Sequence, residues 1–222
     1  MECFEQFYGS PKDYCILGLL PNYLERQHSS LVYMTQYLIH ESKDARSGFY
    51  LYDFEKLNHT LTSLENEQQK TILIGVSFAL MDFVDAYPQR LKHTIVMETG
   101  GMKGRKQELT KATLHAYLAN GFGVQSIHSE YGMTELLSQA YSKGEGIYAC
   151  PPWMKVLVAD ESDPIALSTT GRGVLHIIDL ANHHSCAFIA TEDIGVVHPD
   201  GSFEVIGRLD QSARRGCSLL VV

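Results

Sequence analysis

The chain has 222 residues, of which 45% are hydrophobic and 20% are charged, with a formal net charge of −8. This composition is typical of a globular protein with one large domain or two small ones, and it excludes disorder along the whole chain. The acidic excess also excludes a sequence-independent nucleic-acid binder, because such a protein needs a surface of Lys and Arg to displace counterions.

Five cysteines lie at irregular spacings without a CxxC pair, which indicates neither a disulfide framework nor a zinc site. Unpaired thiols are typical of a reducing compartment. The longest apolar runs fall far short of the ~20 residues that a membrane-spanning helix needs, and the first residues lack the pattern of a signal peptide. We therefore expect a cytoplasmic protein without a membrane span.

The first part of the chain alternates apolar runs with amphipathic stretches. We predict strands at residues 14–20, 48–54, 71–77 and 93–99, and helices at 23–42, 55–70, 78–87 and 106–121. Gly121 is expected to cap the last of these helices. Fully apolar strands separated by helices indicate a parallel sheet that is covered on both faces.

After about residue 124 the strand-like runs become short and are separated by turns. They cover residues 146–150, 154–160, 173–180, 186–191 and 195–209, and HPDGS at 198–202 has the pattern of a hairpin turn. The sequence therefore predicts an α/β fold. A mostly parallel sheet flanked by helices occupies residues 1–150, and a smaller antiparallel β-rich subdomain follows at 151–222.

Two short patterns leave other functions open. The segment GVSFA at 75–79 places Ser77 at a strand-to-helix turn like the G-x-S-x-G nucleophile elbow, and Asp193 and His198 follow in triad order. A serine hydrolase or acyltransferase is one interpretation, and a serine that simply begins a helix is the other. The adjacent His183 and His184 would point to opposite faces of a strand, which disfavours a metal site.

A series of five segments is more specific than either pattern. In chain order they read METGGMKGR (97–105), HSEYGMTE (128–135), TTGRGVLHIIDL (169–180), FIATEDIGVV (188–197) and GRLDQSARRGCSLLVV (207–222). Their order and spacing resemble the adenylate-forming enzyme superfamily. Within it the chain most resembles the acyl-protein synthetases, also called long-chain-fatty-acid–luciferin-component ligases, and then the phenylacetate–CoA ligases.

The resemblance implies that ATP and Mg²⁺ activate a carboxylic acid of the fatty-acid class as an acyl-AMP. The acyl group would then pass to a thiol or to an acyl-acceptor protein. The positions that it places around the nucleotide are Gly100, Gly101, Tyr131, Gly132, Met133, Asp193 and Arg208. The catalytic positions are Thr134, Glu135 and Cys217.

Each of these positions has a role that suits its chemistry. Gly100 and Gly101 would border the adenine, because glycine lets a planar base approach the backbone. Tyr131 would stack against the adenine, and Thr134 would donate to the α-phosphate. Glu135 would bind Mg²⁺, which prefers hard oxygen ligands.

The remaining positions concern the turn, the ribose and the acyl group. Gly132 would permit the turn after Tyr131. The resemblance makes Asp193 the acceptor of both ribose hydroxyls and places Arg208 at the ribose or phosphate, just before a hinge at Asp210. It also makes Cys217 a candidate for the thiol that carries the acyl group, since nearby arginines favour a thiolate.

Two departures from the family pattern bear on activity. A phosphate loop of the form S-S-G-T-T-G does not occur in the sequence, and the chain ends about a dozen residues after Arg208, before any domain with a catalytic lysine. We therefore expect a truncated form that is weakly active or inactive. A non-catalytic module that binds a nucleotide or a partner is the alternative.

Overall fold

The computed structural model describes residues 2–21, 29–100, 109–160, 163 and 165–209. The chain divides into two compact units, Met1–Pro151 and Pro152–Val222. In the part of the chain that is described, no helix is both long and apolar enough to cross a membrane.

The first unit is an α/β unit built on a six-stranded sheet. Its helices are α1 (Glu2–Tyr8), α2 (Ser30–Ser42), α3 (Phe54–Asn66), α4 (Ser77–Ala86) and α5 (Lys111–Phe122). The six strands of the sheet are β1 (Cys15–Leu19), β2 (Gly48–Phe49), β3 (Thr71–Val76), β4 (Thr94–Thr99), β5 (His128–Tyr131) and β6 (Ala140–Ser142), and the short strand β7 (Ile147–Tyr148) is not part of this sheet. The sheet order is β2-β1-β3-β4-β5-β6, in which β6 alone runs antiparallel to its neighbour.

The core of this unit explains the parallel arrangement. Every residue of β1 and β3 is buried, because helices cover both faces of these strands. Leu57, Leu61 and Leu64 of α3 are fully buried in the same apolar cluster. The parallel sheet predicted from apolar runs is confirmed.

Two local predictions in this unit were wrong. The strand predicted at 48–54 ends at Phe49, because Leu51 adopts a left-handed backbone (φ 48°) and Asp53 already caps α3 by accepting from the backbone N–H of Lys56. Gly121 does not cap α5. The cap is Gly123, which has the left-handed φ of 64° that a helix C-cap requires.

The second unit is an antiparallel β unit, as predicted. Its strands are β8 (Met154–Ala159), β9 (Leu167–Ser168), β10 (Gly171–Asp179), β11 (Phe188–Val197) and β12 (Phe203–Arg208), in the order β12-β11-β10-β8-β9. The predicted hairpin turn joins β11 to β12, where His198 N–H donates to the Ser202 carbonyl over 2.8 Å. The break predicted between the runs at 186–191 and 195–209 is absent, because β11 continues without interruption from Phe188 to Val197, with a bulge in its pairing to β12 between Ile194 and Gly195.

The packing of α5 against α4 gives a test of the fold. A β carbon at Gly121 would lie 2.5 Å from a methyl carbon of Val84, so Gly121→Ala should destabilise the protein although alanine favours helices. We expect a loss of about 1–3 kcal/mol in the free energy of unfolding, measured in urea. In a Val84→Ala background, adding Gly121→Ala should change the free energy of unfolding very little.

Gly48→Ala is the matched control, because a β carbon there meets no atom within 4 Å. It should change the unfolding free energy by less than about 0.5 kcal/mol. Equal effects of the changes at Gly48 and Gly121 would contradict this packing.

Candidate functional site

The polar positions of the first unit gather at the carboxyl ends of its parallel strands. Residues Gly100 and Tyr131 stand at the ends of β4 and β5, and the pairing of Thr99 with Glu130 brings these ends level. Ligands of open α/β sheets bind at this edge. The edge is therefore the candidate site within this unit.

Gly100 needs to be a glycine for a conformational reason. Its φ is 76°, in the left-handed region, and the residue is exposed. Its carbonyl accepts a hydrogen bond from Ser77 Oγ over 2.9 Å. The start of the loop after β4 is thus fixed by the first residue of α4, while Gly101 lies outside the described residues.

The segment after β5 forms a turn at the surface. Tyr131 is buried, and its ring meets the ring of Tyr148 edge-on at a centroid distance of 5.9 Å. Leu136 N–H donates to the Met133 carbonyl, which closes the turn. Gly132, Thr134 and Glu135 are exposed, whereas Met133 is half-buried.

The turn does not explain the glycine at position 132. The φ of Gly132 is not in the left-handed region, so another residue could adopt its backbone conformation. A β carbon there would lie 2.4 Å from Glu130 Oε1. The sequence-based reason for this glycine was therefore wrong: the position lacks space rather than conformational freedom.

A buried carboxylate, Glu98, organises the face of the sheet that packs against α5. Its Oε1 lies 2.9 Å from Lys111 Nζ, 3.2 Å from His115 Nε2 and 2.7 Å from Ser129 Oγ. Burial raises the pKa of Glu98, but the hydrogen bond of His115 and the charge of Lys111 outweigh it and lower the pKa to about 2. The carboxylate is therefore ionised at neutral pH.

Tyr148 connects this cluster to the segment after β5. Lys111 Nζ bonds to the Tyr148 hydroxyl and lies 4.6 Å from the centroid of its ring. The Tyr148 ring also contacts the Tyr131 ring. A continuous set of contacts thus runs from Glu98 to the aromatic side chain that the sequence assigns to the adenine.

Glu130 is a second buried carboxyl group, on the opposite face of the same strand ends. Its Oε2 accepts a hydrogen bond from Thr99 Oγ1 over 2.7 Å. Burial raises the pKa of Glu130 to about 7, because the opposing effect of the Thr99 hydrogen bond is smaller. The two carboxyl groups therefore have opposite shifts, which follow from the number of groups that stabilise each charge.

The sequence motifs contain several of these residues but gave them no role. Glu98 lies within METGG, and Ser129 and Glu130 lie within HSEYG. The available signal was an acidic residue at the end of an otherwise apolar strand, which is costly to bury and therefore informative. Lys111 and His115 on α5 offered no such signal, because an isolated Lys or His on a helix is ordinary.

Ser77 has the environment of a structural residue. It is almost completely buried, and its Oγ donates to the Gly100 carbonyl and contacts Glu98 Oε2 at 3.3 Å. These acceptors do not form the serine–histidine pair of a hydrolase. The strand-to-helix serine is therefore the interpretation that the geometry favours.

The histidine pair likewise gives no metal site. His183 and His184 lie in a turn and not in a strand, and their ring centroids are 3.7 Å apart, so the prediction that they point to opposite faces was wrong. Among the residues that the structure describes, no group of three or more His, Cys, Asp or Glu side chains could hold a metal ion.

In the second unit the structure brings two predicted residues together. Asp193 and Arg208 face each other across β11 and β12, and Arg208 Nε donates to Asp193 Oδ1 over 2.8 Å. Asp193 is buried, whereas the Arg208 side chain is 60% exposed. Cys217 and Asp210 lie outside the described residues.

Comparison with known proteins leads to the family that the sequence motifs resemble. The sequence model described as "Acyl-protein synthetase, LuxE" matches residues 22–222, which is most of the chain. The chain belongs to the acyl-protein synthetase family. The long-chain-fatty-acid–luciferin-component ligase of Aliivibrio fischeri is 24% identical in a 211-residue alignment that covers 85% of this chain and 53% of that protein.

Solved structures of acyl-CoA synthetases share the fold. ATP-bound MatB from Rhodopseudomonas palustris superposes with a TM-score of 0.63 at 16% identity, over 93% of this chain and 42% of that one. O-succinylbenzoate coenzyme A synthetase (MenE) from Bacillus subtilis, in complex with ATP and magnesium ion, gives 0.59 at 15% identity, over 92% and 43%. The fold is that of adenylate-forming enzymes, as the motif series predicted. This acyl-protein synthetase chain spans about half the length of the curated relative it matches.

The raised pKa of Glu130 gives a pH test of the site. A carboxyl group with a folded-state pKa above its unfolded value stabilises the fold while protonated, and this stability is lost as pH rises towards about 7. Between pH 5 and pH 8 the wild-type protein should lose about 2–3 kcal/mol relative to Glu130→Gln, which has no proton to release. Urea unfolding at both pH values measures the difference.

The exposed carboxylate of Glu55 provides the control. Glu55→Gln should follow the wild-type pH profile. A Glu130→Gln profile that is parallel to the wild type would show that Glu130 is ionised in the folded protein across this range.

Proposed function

We propose that this chain provides the acyl-adenylate site of an acyl-protein synthetase. A carboxylate oxygen of a long-chain fatty acid attacks the α-phosphorus of ATP, and pyrophosphate leaves. A thiolate then attacks the acyl carbonyl, and AMP leaves. The observation that carries the proposal is that adjacent parallel strands, β4 and β5, end at Gly100 and at the Tyr131–Glu135 segment, level with each other at one edge of the sheet.

The nucleotide would lie along this edge. Gly100 presents an exposed backbone without a side chain, which lets a planar base approach closely. The Tyr131 ring is held by Tyr148 and would border the same base. The exposed Thr134 hydroxyl is suited to the α-phosphate.

Magnesium suits the oxygen chemistry of this turn. Glu135, the residue after Thr134, has an exposed side chain, and Mg²⁺ is usually held by one or two carboxylates together with substrate phosphates. The bound ion would neutralise charge on the phosphates. Glu135 would hold it, and Thr134 would orient the α-phosphate.

The family resemblance assigns the ribose hydroxyls to Asp193. The Asp193 carboxylate accepts from the exposed Arg208 through Oδ1. Hydrogen bonds to a charged acceptor contribute about 1.5–3 kcal/mol. Arg208 would orient the carboxylate and lie near the ribose or phosphate.

The acyl acceptor and the activity level rest on sequence resemblance. The name of the Aliivibrio fischeri relative favours a long-chain fatty acid and a protein partner. Cys217 stays the candidate thiol, and a cytoplasmic location stays the expectation from the cysteine pattern. A binding experiment tests the proposed site directly, because it does not depend on turnover.

Binding of AMP tests the ribose contact. Asp193→Ala should weaken AMP binding at least tenfold, because it removes a charge-assisted acceptor worth at least about 1.4 kcal/mol. Isothermal calorimetry gives the dissociation constants. Asp200→Ala, at an exposed carboxylate of the same unit, is the control and should leave them unchanged. Equal affinities for wild type and Asp193→Ala would remove Asp193 from the site.

An acyl-AMP mimic distinguishes a ligase from a nucleotide-binding module. Tetradecanoyl sulfamoyl adenosine should bind at least tenfold more tightly than AMP, because each buried methylene contributes about 0.8 kcal/mol. A nucleotide-only module would bind both equally. If the wild-type chain binds neither compound, the proposed site is wrong. Tetradecanoic acid alone controls for unspecific binding of the chain.

A further inference from the structure

We propose that Glu130 is a positioning residue whose carboxyl group, held by Thr99 and lying against Gly132, fixes the end of β4 at Thr99 and Gly100 relative to the segment that follows β5 from Gly132. The inference deepens the proposed function and rests on it, since it explains how the two strand ends that would hold the nucleotide keep their spacing.

The strand register places Thr99 and Glu130 in direct opposition. They pair across the parallel strands β4 and β5, so their side chains project from the same face. Thr99 Oγ1 donates to Glu130 Oε2 over 2.7 Å, and both side chains are buried. Thr99 is the residue immediately before Gly100, and Glu130 stands two residues before Gly132. This hydrogen bond therefore connects the end of β4 beside Gly100 with the start of the segment after β5.

The second oxygen of the same carboxyl group occupies the space beside Gly132. A β carbon at Gly132 would lie 2.4 Å from Glu130 Oε1, whereas the next atom, Gln139 Cγ, is at an ordinary 3.5 Å. The Glu130 side chain is flexible in principle, but swinging it away would break the bond to Thr99. A side chain at position 132 and the Thr99–Glu130 bond therefore exclude each other.

The groups around Glu130 favour this fixed geometry. Thr99 contacts it from β4, and Tyr141 faces it in the register with β6. The charges of Glu98 and Lys111 act on it with opposite signs. Because Thr99 supplies a hydrogen bond to an otherwise buried carboxyl group, losing that bond is costly and the arrangement is stable.

Glu98 has the corresponding task on the other face. Its partners Ser77 and Ser129 belong to the ends of neighbouring elements, and Ser77 also donates to the Gly100 carbonyl. On each face of the sheet, a buried carboxyl group thus contacts the residues at the ends of β4 and β5. The Thr99–Glu130 pair is the part that reaches the segment after β5.

Two substitutions at Thr99 separate the hydrogen bond from packing. Thr99→Val keeps the shape and loses the hydroxyl, and we expect it to weaken binding of tetradecanoyl sulfamoyl adenosine about tenfold. Thr99→Ser keeps the hydroxyl and should bind within about twofold of the wild type. Equal affinities for the valine and serine variants would overturn the proposal, because a purely structural role of Thr99 gives no advantage to serine.

A double-mutant cycle tests the contact between Glu130 and Gly132. Gly132→Ala should weaken binding of the same mimic at least tenfold. In a Glu130→Ala background, where the obstructing carboxyl group is gone, adding Gly132→Ala should weaken it less than threefold. Additive losses would overturn the proposal. Thermal unfolding of each variant confirms that the binding losses are measured on folded protein.

Hydrogen exchange gives a readout that does not depend on the ligand. The peptide that covers the segment from Tyr131 to Leu137 should exchange faster in Thr99→Val than in Thr99→Ser or the wild type. If the wild type binds the mimic but no variant differs in binding or exchange, the positioning role is wrong and the proposed function stands. If the wild type does not bind the mimic, the proposed function fails, and the exchange rates alone decide whether Thr99 and Glu130 position the segment.

Discussion

Two carboxyl groups buried at the ends of β4 and β5 set the geometry of the candidate site. A buried charge destabilises a protein unless ion pairs and hydrogen bonds compensate it. Glu98 meets this requirement with Lys111, His115 and Ser129, and its charge therefore fixes how α5 begins beside the sheet. Among the described residues, Thr99 is the hydroxyl donor to Glu130, and the pKa of Glu130 rises instead. The end of β4 at Gly100 and the segment after β5 take their positions from both arrangements.

The family assignment relates this geometry to a class of reactions. The chain matches the acyl-protein synthetase family over residues 22–222, and ATP-bound enzymes share its fold. In the first unit, exposed groups of Thr134 and Glu135 stand on a turn whose base is buried. In the second unit, the Arg208–Asp193 contact presents a buried carboxylate at the end of a hairpin. A polar ligand edge supported by a rigid interior is the arrangement that electrostatic stabilisation requires.

Some of these features could be predicted from the sequence, and physical reasons explain the rest. Apolar runs such as 71–77 predicted buried parallel strands, since burial on both faces demands such runs. The aromatic run at 48–54 gave a wrong strand prediction. The left-handed backbone of Leu51 and the helix cap at Asp53 end the strand, and hydrophobic periodicity carries no information on either of them. The motif series predicts candidate site residues, among which Gly100, Gly132, Thr134 and Glu135 are exposed. It could not identify the ion pair of Glu98 with Lys111 or the space requirement at Gly132, because these depend on contacts between elements that only the folded chain creates.

A crystal structure of the chain with tetradecanoyl sulfamoyl adenosine tests the central claim most directly. We expect the adenine against the Gly100 backbone and the Tyr131 ring, with the sulfamoyl group beside Thr134. Another surface of the first unit offers a clear alternative: an open depression between the segment before β4 and the end of α5, lined by Pro88, Gln89, Arg90, Ala119, Asn120, Gly121, Gly123 and Val124. Adenosine density in that depression, with the ends of β4 and β5 empty, would contradict the account.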